Sequence, residues 1–122
     1  GPWFAQILRE YKRSGFKTAI DDFGAGFAGL KLLSDFQPDL IKIDMDLVRG
    51  VDTSRPRQAI VRNLARLCEE MGITVIAEGI ETLGERDFVA DCGIRLMQGY
   101  LFAQPALRAM APLREEGFAR AH

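Results

Sequence analysis

The sequence predicts an α/β fold with a parallel sheet, in which four strands alternate with helices, and three observations lead there. Short apolar runs of strand length recur along the chain, and several end on charged residues. Between them lie segments with apolar residues at helical spacing, several closed by Gly or Pro. The 122 residues are 48% hydrophobic, enough for a single core, and contain no linker or low-complexity stretch.

The elements follow in order. Phe4, Ile7, Leu8 and Tyr11 recur at helical spacing and Gly15 stops the run, so a helix comes first. Lys17 to Asp22 is a short strand that ends on two carboxylates and enters the glycine-punctuated segment Phe23-Gly24-Ala25-Gly26-Phe27. Leu30, Leu33 and Phe36 mark a short helix closed by Pro38, and Leu40-Ile41-Lys42-Ile43-Asp44 is the second strand. Between Asp46 and Pro56 the chain is polar and irregular. Ser54 then caps a helix whose apolar face is Ile60, Leu64, Leu67 and Met71, ended by Gly72. Thr74 to Glu78 is the third strand, Leu83 to Asp91 a helix stopped by Gly93, Arg95 to Tyr100 the fourth strand, and about Pro105 to Gly117 a last helix. The Phe and Leu stripes are core positions. Four such strands leave two outer edges unpaired, and a complete eight-stranded barrel needs about 250 residues, so the chain reads as half of one.

Composition excludes several functions. Sixteen Lys and Arg against seventeen Asp and Glu leave a formal charge of -1, no field to draw in DNA, RNA or an anionic membrane, so any phosphate recognition is local. The longest apolar runs fall short of the roughly 20 residues that span a bilayer. Cys68 and Cys92 lack CxxC spacing and read as free thiols, which suits a reducing cytoplasm. Gly1 and Pro2, with no Met, read as a vector remnant or a cut inside a longer protein.

Polar residues gather where chemistry collects in parallel α/β folds, at the C-terminal ends of the strands: Asp21, Asp22, Lys42, Asp44, Glu78 and Gln98. Alternation sets Lys42 and Asp44 on one face, and likewise Thr74, Ile76 and Glu78. Carboxylates converging on one mouth are held together by protonation, a basic partner or a hard divalent cation. With Lys42 and Glu78 beside the Asp21-Asp22 pair, metal binding is the better reading. A lysine inside a buried strand wants an anion. Gly24 and Gly26 fit a tight turn and a phosphate-approach loop equally well. Asp44 fits a cap better than a metal shell, and His122, the chain end, takes no role.

Together these pieces resemble the EAL family of cyclic di-GMP phosphodiesterases. Asp21-Asp22-Phe23-Gly24-Ala25-Gly26 resembles its DDFG(T/A)G segment, Lys42-Ile43-Asp44 its KID strand, and Ala77-Glu78-Gly79-Ile80-Glu81 its AEG(V/I)E segment. Gln98-Gly99-Tyr100-Leu101-Phe102 with Gln104-Pro105 resembles its QG(Y/F)xF...P ending. The resemblance implies the C-terminal half of a TIM-like (β/α) barrel, whose parent enzyme uses two Mg2+ or Mn2+ ions to hydrolyse cyclic di-GMP to linear pGpG in bacterial signalling. It implies that Asp21 bridges both metals and Asp22 binds the second. Lys42 would orient the attacking water, Glu78 act as general base and Gln98 order the site, with Glu81, Gly24 and Gly26 in the surrounding loops. The EAL tripeptide itself, and the family's asparagine and further glutamate from the first barrel half, have no counterpart here. The fragment is therefore expected to bind metal weakly and hydrolyse little or nothing alone.

Two competitors stand beside this reading. One is a non-catalytic half-barrel that pairs with itself as a homodimer, or with another chain, through its sheet edges. The other is a phosphoacceptor receiver domain. Receivers need five strands with a late lysine, whereas Lys42 lies on the second strand here.

Overall fold

The computed structural model describes residues 13, 15, 18–25, 29–103, 113–114 and 118–120. Four parallel strands, β1 (Ala19–Phe23), β2 (Leu40–Ile43), β3 (Thr74–Glu78) and β4 (Leu96–Gln98), lie side by side in chain order. Between them run α1 (Gly29–Phe36), the short α2 (Met45–Val48), a 3-10 turn (Val51–Thr53), α3 (Arg55–Met71) and α4 (Leu83–Asp91). The predicted α/β order is thus present. The predicted first helix, with Phe4, Ile7, Leu8 and Tyr11, lies outside the described residues.

Local chemistry sets the element ends. Ser54 accepts from Arg57 N to start α3, Pro56 sits in its first turn, and Gly72, at φ 73°, closes it in the left-handed region. Asp44 accepts from Asp46 N and caps α2, the role favoured from the sequence. The stretch read as irregular between Asp46 and Pro56 therefore contains a helical turn and a 3-10 turn. Chains this short carry too little periodicity to announce themselves.

All four residues of β2 are buried, as expected of a parallel strand covered on both faces. One face carries Ile41, Ile43, Val75, Ala77 and Met97 into a core with Val61, Leu64, Ala65 and Cys68 of α3 and Val89 of α4. Register pairs Lys42 with Ile76 and Glu78 with Gln98, so alternation places these four on the opposite face.

Three sequence expectations are corrected. Ile60, Leu30 and Phe36 are exposed. Two overlapping apolar stripes run along α3, and the one buried against the sheet carries Val61, Leu64, Ala65 and Cys68. Leu33 is the buried residue of α1, while Leu30 and Ile60 border a cleft of about 370 Å3 with Phe23, Leu47, Leu64 and Leu67. The last helix, expected to reach Gly117, is not formed at Leu113–Arg114, which is strand (β5) and pairs antiparallel with β6 (Phe118–Arg120). The rest of its span lies outside the described residues. β6 in turn pairs antiparallel with β4, so one sheet edge expected to be open is covered, in line with the cost of leaving an edge strand unpaired.

The loops after β3 and β4 touch at Gly99. It has φ 152°, and a Cβ there would overlap the backbone N and O of Ile80, whose peptide hydrogen bonds run to Gln98 O at 3.1 Å and from Leu101 N at 3.1 Å. Gly99→Ala should lower stability by about 2–4 kcal/mol in urea unfolding. Gly72→Ala, at a left-handed φ of 73° with open space around it, should cost about 1–2 kcal/mol.

Candidate functional site

The predicted site residues come from four strand ends. Lys42 is 2% exposed, and its Nζ lies 2.7 Å from Asp21 Oδ1 and 3.0 Å from Glu78 Oε2. Asp22 Oδ1 is further off, at 3.9 Å. Of the three ways to hold converging carboxylates, the basic partner is in place. Burial pushes the Lys42 ammonium down, but hydrogen bonds from it to Asp21 and Glu78 and their charges outweigh this and hold its pKa above the usual lysine value. Burial pushes Asp21 up, and the Lys42 bond and charge together with the Asp22 N–H leave its carboxyl below the ordinary range. At neutral pH the centre is an ammonium among carboxylates, so Lys42 donates and does not act as a base.

A backbone irregularity aims the aspartates. Ile20 pairs with Ile41 and Phe23 with Ile43, so β1 spends three residues where β2 spends two, a bulge at Asp21-Asp22. Asp22 has φ 52°, uncommon for a residue with a Cβ, and its N–H donates to Asp21 Oδ1 at 2.8 Å. Such outliers persist only where the surroundings over-determine them. Sequence reading missed the bulge, because an extra residue in a strand looks like any other in the alternation.

Gln98 lies beside Glu78 in register, is 4% exposed, and its buried Oε1 has no hydrogen-bond partner among the described residues. An acceptor left this way costs about 1–3 kcal/mol, which marks a position awaiting a donor. Glu81 is exposed and accepts from Arg49 Nε at 3.1 Å, so it faces the rim and not the Lys42 cluster. Gly24 has φ 99°, and a Cβ there would stand 2.5 Å from Leu47 Cδ1; its glycine serves a tight turn against α2. Gly26 lies outside the described residues.

One residue absent from the sequence expectations is central to the loops. Glu85, 3% exposed, accepts from Glu81 N at 2.7 Å, Thr82 N at 3.1 Å and Gly50 N at 2.8 Å. The signal was available: Thr82 and Glu85 form a capping box at the start of α4, and Thr-x-x-Glu before a helix is its signature.

As for a metal, carboxylate oxygens suit hard divalent cations. Asp21 and Asp22 are the accessible donors, but among the described residues no group of three or more His, Cys, Asp or Glu is placed to hold an ion. The donor chemistry fits, and the shell needs further ligands. Among the described residues no helix is long and apolar enough to cross a membrane.

Comparison with known proteins decides the family. The EAL domain model matches residues 2–105. The chain belongs to the EAL-domain family. It is 45% identical over 107 residues to the blue light- and temperature-regulated antirepressor BluF of Escherichia coli, spanning 88% of this chain and 27% of that protein. It is 34% identical over 99 residues to the cyclic di-GMP phosphodiesterase PdeR of E. coli, spanning 81% of this chain and 15% of that protein. Among solved EAL structures, the manganese/cyclic di-GMP complex of Klebsiella pneumoniae BlrP1 matches at 53% identity and TM-score 0.68, over 80% of this chain and 25% of that one. A standalone EAL protein of Vibrio cholerae with cyclic di-GMP bound matches at 44% identity and TM-score 0.69, over 83% of this chain and 43% of that one. The chain thus spans about a quarter or less of these curated relatives, and its partial coverage of solved EAL domains fits a half-domain of a TIM-barrel-like fold.

Removing the ammonium tests the electrostatics. Lys42→Met should cost about 1–3 kcal/mol at pH 7 in urea unfolding. Asp21, with its folded pKa depressed, contributes stability above its unfolded value of about 3.9 and loses it as pH falls through the lower folded value. Lys42, with its pKa raised, contributes below about 10.4 and loses it as pH rises through the higher folded value. The deficit of the variant should therefore shrink below pH 4 and again at strongly alkaline pH.

Proposed function

We propose that this chain is the C-terminal half of a phosphodiesterase domain, spanning residues 1–122, that hydrolyses cyclic di-GMP to linear pGpG in bacterial second-messenger signalling. The observation that carries the reading is the Lys42 ammonium bracketed by Asp21 and Glu78 at 2.7 and 3.0 Å at the C-terminal strand ends, in a family with relatives named for this activity. Asp21 and Asp22 would hold divalent ions, Mg2+ or Mn2+, as solved relatives carry manganese or calcium with cyclic di-GMP. Bound there, such ions would supply Lewis acidity toward a water and positive charge beside the phosphoryl group. Because Lys42 stays cationic, it orients the water or the phosphate by donating hydrogen bonds. Glu78, on the same ammonium, is the carboxylate that takes the proton. Gln98 supplies the buried carbonyl that a substrate or water donor completes, and Glu81 with Arg49 fixes the rim.

The remaining ligands would come from the first half of the barrel, and residues 1–122 without that half would bind metal weakly and turn over little or nothing. Two free thiols, with burial pushing Cys68 up to about 11, suit a reducing cytoplasm.

A second reading has its own support, since a relative at 45% identity is named an antirepressor. A non-catalytic half-barrel would pair with a second copy along β1, which has one strand neighbour among the described residues. Light scattering after size exclusion separates the two, because this reading requires a dimer.

The hydrolysis assay uses the chain complemented with the first barrel half of a relative, cyclic di-GMP and Mn2+, with products separated by chromatography. Linear pGpG should form, and Glu78→Gln should slow it by about 10²–10⁴-fold. A folded, cyclic di-GMP-binding complex that yields no linear product would falsify the phosphodiesterase reading.

A further inference from the structure

We propose that Glu85 is a positioning residue whose carboxylate locks the loops after β2 and β3 together, so that Lys42 and Glu78 are presented as a fixed pair. Its two oxygens do different work. Oε1 takes Glu81 N and Thr82 N, the local bonds of a helix cap. Oε2 takes Gly50 N, 35 residues away in sequence, which capping does not require. Gly50 sits at φ 70° where the loop after β2 turns into the 3-10 segment. The neighbouring pair Arg49–Glu81 bridges the same two loops at 3.1 Å. Two glycines let them approach: a Cβ on Gly79 would stand 2.8 Å from Met45 Cβ, and one on Gly84 would overlap the Asp52 carboxylate. Met45 is three residues past Lys42, and Glu81 three past Glu78. Sliding one loop against the other therefore moves the two ends of the 3.0 Å ion pair.

The inference rests on the proposed use of the Lys42–Glu78 pair, and its test reads geometry instead of turnover. Glu85→Gln keeps an oxygen for the cap but turns an NH2 toward Gly50 N–H, cutting the long-range bond alone. In this 122-residue chain, well below its unfolding temperature, Gly50 amide exchange should accelerate at least about tenfold, with Glu81 and Thr82 still protected. The NMR signals of the Lys42 ammonium nitrogen and the Glu78 carboxyl carbon should shift or broaden. Val61→Ala, which loosens the helix side of the sheet, should lower stability and leave both signals in place. Glu85→Gln with Gly50 still protected, or with Lys42 and Glu78 unchanged, overturns the proposal. Cyclic di-GMP titrated into the complemented domain tests the functional reading separately, since a missing response there leaves the Glu85 result standing.

Discussion

An ammonium enclosed in a parallel sheet is stable only if anions reach it, and Lys42 depends on carboxylates delivered by both neighbouring strands. Desolvating the charge costs several kcal/mol, which attraction offsets only at close range with good geometry. Asp21 at 2.7 Å and Glu78 at 3.0 Å meet that condition. The order and register of β1, β2 and β3 are thus specified twice, by apolar residues on the helix face and by charge on the other. A one-residue slip of β3 would turn Glu78 toward the helices and leave Lys42 short of an anion.

The same constraint explains why the loops are so closely tied. Side chains at strand ends keep their geometry only if the turns beyond them are fixed, and here main-chain hydrogen bonds do much of the fixing. Gly79 N and Ile80 N both donate to Gln98 O, at 2.9 and 3.1 Å, and Asp44 N donates to Phe23 O at 2.9 Å. Each bond crosses from one strand end to the next. The Glu85 carboxylate adds the link between the loops after β2 and β3, held below the usual glutamate range because the N–H bonds it receives outweigh its burial.

Much of this was legible in the sequence because it depends on period and punctuation. The Leu-Ile-Lys-Ile strand, the Ser54 cap and the Gly72 stop act locally, and the structure places them as read. Asp21, Lys42 and Glu78 were legible as a set because a charge inside an apolar run has few explanations. The bulge at Asp22 was not, since it exists only relative to a partner strand. The exposure of Ile60 was hidden because α3 offers two apolar stripes and only tertiary packing chooses between them. The strand at Leu113–Arg114 was misread as helix because its pairing with β6, the strand that covers the β4 edge, is a tertiary contact that helical spacing does not reveal.

Family membership and chemistry separate at this point. One relative named as an antirepressor and another named as a phosphodiesterase both align with this segment, so the segment itself specifies a scaffold. Lys42 draws the inner carboxylates together, but one ammonium against Asp21 and Glu78 leaves negative charge in excess. Two features lie outside that ion pair. Asp22, strained at φ 52° and 3.9 Å from the ammonium, gains little from Lys42, and among the described residues Gln98 keeps a buried oxygen without a partner. Both cost stability in the scaffold alone, and both fit the cation and substrate of the proposed reaction.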